Sequence, residues 1–205
     1  MKKLIAALIT VSCLLLIVSC SQTPDNTPKI PVSEGGVSFA EFVKAAGGTA
    51  SPASAIINTK SESDLGVLNA QLVITYAADG SSEIEYVKDR YGKISAGEDL
   101  IVTEAGSVSC DANGNYSDGG EFVGNAVASG AYSLNLVESK LRDAKIEGNI
   151  LYATIFSYET QAVLGINLGA TTLVAITIKD GKIGSVSASY FSGTNKINVE
   201  CEYIY

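Results

Sequence analysis

Apolar and polar residues alternate along much of the chain, most clearly at its carboxy-terminal end. In the last run, Ile197, Val199, Cys201, Tyr203 and Tyr205 fall on one side, and Asn198, Glu200 and Glu202 on the other. That period of two predicts a strand with one buried and one wet face. The stretch TTLVAITIKDGKIGSVSASYFSGTNKINVECEYIY reads as three successive strands turning at Asp180-Gly181 and near Gly193-Thr194-Asn195. LRDAKIEGNILYATIFSY folds back around Gly148-Asn149, and QLVITYAADGSSEIEYVKD around Asp79-Gly80. Asp-Gly and Gly-Asn between β-rich runs are strong short-range hairpin signals.

Two segments carry the helical period instead. In SFAEFVKAAGG, Ser38 and Glu41 have the spacing of a capping box, in which two amides at a helix start are satisfied reciprocally. Phe39, Phe42, Val43 and Ala46 then share one face, and Gly47-Gly48 can stop the helix. In ETQAVLGINLG, Ala162, Val163 and Ile166 allow a turn or two before Gly169. The expected fold is mainly β (α+β): a curved antiparallel meander of about eight to ten strands with one or two short helices. The strings ITYAADG and ITIKDG hint at an internal repeat but are too short to establish one.

The amino-terminal segment has a different pattern. Lys2 and Lys3 precede an apolar run, Leu4 to Val18, broken only by Thr10, Ser12 and Cys13. Charges followed by a hydrophobic stretch are the layout of a secretory signal, and the stretch is short of the about 20 residues a membrane span needs. Ile17-Val18-Ser19-Cys20 resembles a bacterial lipobox. The resemblance implies cleavage before Cys20 and a lipid on its sulfur, which makes Cys20 an anchor rather than a redox thiol or a metal ligand. Two or three acyl chains hold a protein stably on a bilayer. Residues 20–36 hold Pro24, Pro28 and Pro31 and few apolar residues, as an extended, solvated tether would. The expected organisation is a signal peptide at 1–19, a lipid-anchored tether at 20–36 and a single β-rich domain at 37–205. The expected location is extracytoplasmic, on the outer face of the cell membrane or in an outer membrane.

Charge and composition narrow the function. Removing residues 1–19 takes away Lys2 and Lys3 but no acid, so the formal charge moves from −8 to −10. Such a balance disfavours nucleic acid, whose phosphates call for clustered Lys and Arg. The chain has no histidine, which removes Ser-His-Asp and Cys-His catalysis and histidine metal sites. No two glycines are separated by a single residue, and neither Gly-Lys pair has a glycine five positions before its own. Dinucleotide and P-loop fingerprints are therefore absent. SxxK and GxSxG are missing as well. A non-catalytic domain with no cofactor is expected.

Several candidate sites remain. Asp111, Asn113 and Asn115 alternate like the first ligands of a calcium loop, with Ser117, Asp118 and Glu121 downstream. Tyr116 stands where the sharp-turn glycine belongs, and Phe122 where a bidentate Glu belongs. An ordinary turn at Asn113-Gly114 is the plainer reading. Cys110 and Cys201 are either a disulfide, allowed outside the cytoplasm, or two unpaired thiols packed as small hydrophobes. Glu83 with Glu85 and Glu200 with Glu202 form carboxylate pairs that a solvated strand face explains.

A helix followed by a long curved meander resembles, in architecture alone, the unclosed half-barrel of LolA-like and LppX-like lipoprotein or lipid carriers. That resemblance implies a concave apolar face for a lipid or another apolar ligand, with Phe39, Phe42 and Val43 as lid residues. The competing reading is a surface interaction or structural lipoprotein with a filled core.

Overall fold

The computed structural model describes residues 30–48, 51–64, 66–94, 98–117 and 133–205. These form one antiparallel sheet and two short helices. The first helix is α1 (Phe39–Ala46). Four strands follow as a meander: β1 (Ser54–Ser63), β2 (Gly66–Tyr76), β3 (Ser82–Ile94) and β4 (Glu98–Cys110). A 3-10 turn at Glu138–Lys140 leads into β5 (Arg142–Glu147) and β6 (Ile150–Ile155). Helix α2 (Thr160–Leu164) then precedes β7 (Thr172–Lys179), β8 (Lys182–Ser192) and β9 (Asn195–Ile204). The spatial order is β4-β3-β2-β1-β9-β8-β7-β6-β5. The expected mainly β meander is therefore present, but as two meanders joined where β1 pairs with β9.

The turn chemistry accounts for the hairpins. Asp180 and Gly181 both have positive φ, 52° and 72°, as a two-residue turn matching strand twist requires. Gly148 and Gly193 take the first central position of their two-residue turns with φ of 59° and 62°. Helix α1 has its capping box: Glu41 N–H donates to Ser38 Oγ, and Ser38 N–H donates to Glu41 Oε2 at 2.9 Å. Ser38 N–H and Ser38 Oγ–H, which both donate to Glu41 Oε2, hold the Glu41 carboxyl below its ordinary pKa.

Register sorts the side chains onto two faces. One row crosses all nine strands: Ile146, Leu151, Ile176, Val186, Cys201, Ile57, Leu72, Tyr86 and Gly106. The first seven are buried. At Gly106 the Tyr86 ring closes the row, since a Cβ there would lie 2.8 Å from Tyr86 Oη. Phe42 of α1, Val163 and Leu164 of α2, and Leu136 and Leu141 complete the same core.

The chain leading into α1 is docked rather than free. Ile146 N–H donates to Pro31 O at 2.8 Å and Ser33 N–H to Ile146 O at 2.9 Å, a parallel bridge at Val32. Val37 N–H reaches Gly148 O, and Gly148 N–H reaches Ser33 Oγ. Residues 30–36, the last part of the expected solvated tether at 20–36, thus lie along the edge of β5, while 20–29 lie outside the described residues. Pro31 suits this edge because only its carbonyl is used.

Phe42 fills the space between α1 and the sheet and is fully buried. Phe42→Ala is expected to cost about 3–5 kcal/mol, read as a lower urea midpoint at unchanged slope. A loss below about 1 kcal/mol would mean the helix does not close the core.

Candidate functional site

The sequence placed the ligand surface under the helix, and the structure fills that space. Phe42 is core, Phe39 is half-buried against it, and Val43 is 41% exposed, turned away from the sheet. The three expected lid residues therefore do not act together: one is a plug, one its neighbour, and one a surface side chain. The space that the half-barrel expectation gives to an apolar ligand is packed with side chains.

A hollow does occur on the opposite face. It is a trough of about 760 Å³ lined by seven strands, β6 to β3. Two adjacent register rows make its floor. One runs Tyr152, Ala175, Ser187, Glu200, Asn58, Gln71 and Val87; the other runs Leu173, Ser189, Asn198, Lys60, Asn69 and Asp89. The residues between them, such as Val174, Ala188, Val199 and Ala70, point into the core and give the trough only their backbone.

Two pairs of polar groups in the trough are joined across strands, and two others are held from outside it. Gln71 Nε2 donates to Asn58 Oδ1 at 2.9 Å, and Ser189 Oγ donates to Asn198 Oδ1 at 2.9 Å. Asp89 accepts from Thr103 Oγ1 at 2.8 Å, and Lys60 pairs with Glu62 at 2.6 Å. The middle is thus amide, hydroxyl, two carboxylates (Glu200 and Asp89) and one ammonium, while Tyr152 and Leu173 at one rim and Val87 at the other supply apolar surface. Lys145 Nζ lies 5.2 Å from the Tyr152 ring centre. This arrangement can hold a polar partner by hydrogen bonds. The wet face of β9 was legible through Asn198, Glu200 and Glu202, but not the curl that gathers seven strands around it.

The loop after β4 is a turn. Asp111 Oδ1 accepts from the backbone N–H groups of Asn113 and Asn115, and Oδ2 accepts from Asn115 Nδ2. The Asn115 side chain and backbone are the main reason its carboxyl lies below the ordinary aspartate range. Gly114 has φ 87°, and Tyr116 bridges back to Cys110. Asp111, Asn113 and Asn115 are brought together, but to close the loop on itself, with both Asp111 oxygens engaged by its own donors. Asp118 and Glu121 lie outside the described residues, as does Cys20. Among the described residues no cluster of three or more acidic, Cys or His side chains is arranged for a metal.

Cys110 and Cys201 are free thiols. The disulfide alternative is not formed because β3, β2 and β1 stand between β4 and β9. The row through Cys201 meets β4 at Gly106, four positions from Cys110. Neighbouring strands are about 4.8 Å apart, so four spacings far exceed the about 5.5–6 Å between Cα atoms that a bridge favours. Burial pushes the Cys201 thiol up to about 11.

No protein-family model and no curated protein matches the chain. Among solved structures, the dehydratase domain from the CurF module of curacin polyketide synthase aligns at 8% identity and a TM-score of 0.21, over 78% of each chain. The dehydratase domain from the CurK module aligns at 9% and 0.21, over 81% of this chain and 79% of that one. Superposition this slight carries no argument about chemistry.

A thiol reagent at mildly alkaline pH is expected to label Cys110 in the folded domain and to reach Cys201 only after unfolding, since buried neutral thiols are inert. Peptide mass mapping reads both sites. Equal native labelling, or a linked Cys110–Cys201 peptide, would contradict this placement.

Proposed function

We propose that this chain is a lipid-anchored protein of the bacterial cell envelope, held outside the cytoplasm through Cys20, whose domain binds or presents a partner and does not catalyse. The anchor rests on the lipobox-like Ile17-Val18-Ser19-Cys20 after Lys2, Lys3 and an apolar run. The absence of histidine and of nucleotide-binding fingerprints supports a non-catalytic role.

Of the two occupants weighed on the sequence, a lipid held inside and a partner met at the surface, the second is favoured. One observation carries this choice. The side chains between the helices and the sheet, from Phe42 and Leu164 to Ile57, Leu72 and Ile176, are buried within one continuous core. A lipid chain entering there would have to displace packing worth several kcal/mol, since each deleted core side chain costs about 2–5. The open-face trough, with Asn58, Gln71, Asn198 and Glu200 at its centre, offers hydrogen bonds instead.

The protein without its acyl anchor, exposed to a bacterial lipid extract, is expected to give an unliganded native mass while a control carrier binds lipid. A stoichiometric lipid adduct would reverse the choice in favour of the carrier. Anchoring is read separately: a palmitate analogue fed to cells should mark the wild-type protein and not Cys20→Ser. Labelling of both, or of neither, would contradict the anchor.

A further inference from the structure

The docked tether gives the sheet a direction. Because the Val32 bridge to Ile146 is parallel, Ile30 lies toward the Arg142 end of β5 and not the Gly148 end. Ile30 N–H donates to Glu138 Oε1 at 3.1 Å. Lys140 Nζ, two residues on, lies 2.8 Å from Glu159 Oε2, and Glu159 N–H donates to Phe156 O. The tether thus arrives beside the segment that follows β6.

That end of the sheet exposes large apolar side chains. Tyr158 is 72% exposed, Phe191 62% and Leu173 60%, the three highest among the large hydrophobic residues described. The Phe156 and Tyr158 ring centres are 5.7 Å apart, with Arg142 Cζ 5.5 Å from the Phe156 centre. Register places Phe191, Lys196, Glu62, Val67 and Tyr91 in one row on the open face. Phe156 follows Ile155, whose rung pairs with Thr172. From β6 to β3 this rim crosses six strand spacings, about 29 Å.

We propose that this end of the sheet, through Phe156, Tyr158, Phe191 and Tyr91, rests on the bilayer that holds the acyl chains of Cys20. The proposal rests on the anchoring stated above. Ile30 is ten residues from Cys20, so a fully extended chain keeps it within about 35 Å of the anchor. Tethering at that range makes contact intramolecular, so weak attraction suffices. Exposed aromatic rings beside a basic side chain have the chemistry of the membrane–water interface, where rings sit at headgroup level and cations extend outward. Lys140 and Lys60 are already paired with Glu159 and Glu62. Attraction therefore comes mainly from the rings and does not require anionic lipid. The open-face trough would then stand beside the bilayer, with Leu173 at the rim on the membrane side.

The chain has no tryptophan, so single substitutions make clean probes. The full-length lipidated protein, carrying Phe191→Trp, Tyr158→Trp or Tyr205→Trp, is placed in phosphatidylcholine vesicles containing a headgroup-level nitroxide lipid. Tyr205 follows the other end of β9 and serves as the comparison. Quenching at positions 191 and 158 is expected to exceed that at 205 by about twofold or more, at low and high salt alike, as interfacial rings require. Equal quenching at all three positions would overturn the docking. So would an emission shift at 191 and 158 that follows protein density rather than quencher lipid, which would indicate a second copy or another protein. Flotation and the acyl mass of Cys20 separate the two levels. Floating protein with unquenched probes contradicts docking alone; protein that neither floats nor carries acyl mass contradicts the anchor and the docking with it.

Discussion

The pairing of β1 with β9 is the constraint on which the rest of the molecule depends. Every other pairing in the sheet joins strands consecutive in the chain. This one brings Ser54 against Ile204 and Glu62 against Lys196, across nearly the whole folded chain. It converts two separate meanders, each ending on an edge, into one sheet whose first and last strands lie at its middle. Closing so long a loop costs only a slowly growing entropy, but the contact must form without local help, and such contacts slow folding.

The same pairing sets which face is filled. With Cys201 opposite Ile57, the buried row runs unbroken from Ile146 to Leu72, and both helices have one surface to cover. A slip of one residue would turn β9 over and put Glu200 and Glu202 into the core. Filling one face leaves the other uncovered. The trough and the rim of rings at its end thus follow from one register. The polar trough stands open on one face while the other is filled with packed side chains.

Much of this was legible locally. The five hairpin strands β5 to β9, with β2 and β3, follow from Asp79-Gly80, Gly148-Asn149, Asp180-Gly181 and the turn at Gly193, because turn chemistry acts within a few residues. The capping box at Ser38 and Glu41 was legible for the same reason. Strand β1 was harder: SAIINTKSES buries only Ala55 and Ile57, and its second half approaches the sheet end with little apolar pattern. Its pairing with β9 leaves no local signal at all. Residues 30–36 read as tether because the whole stretch 20–36 holds Pro24, Pro28 and Pro31 and few apolar residues, yet an edge strand needs few amides from its partner. The calcium-like spacing at Asp111, Asn113 and Asn115 was real but served the turn, since alternate polar residues can also cap their own loop. The trough was illegible because a row of Asn, Gln and Ser looks the same on a flat sheet as on a curled one. Helix α2 ended sooner than its pattern allowed. Gly165 takes φ 77°, and a Cβ there would meet Ser133 Cβ at 2.9 Å.

The most direct measurement is native-state hydrogen exchange across the join. If β1 with β9 holds both meanders in one cooperative sheet, slow amides of β2 and β8, its two neighbours, should open at the same free energy as those of β1 and β9, because a cooperative unit opens together. Protected β8 and β9 amides beside β1 and β2 amides that exchange at a distinctly lower free energy would contradict this. The two meanders would then be independent, and the open face they share would not be a preformed surface.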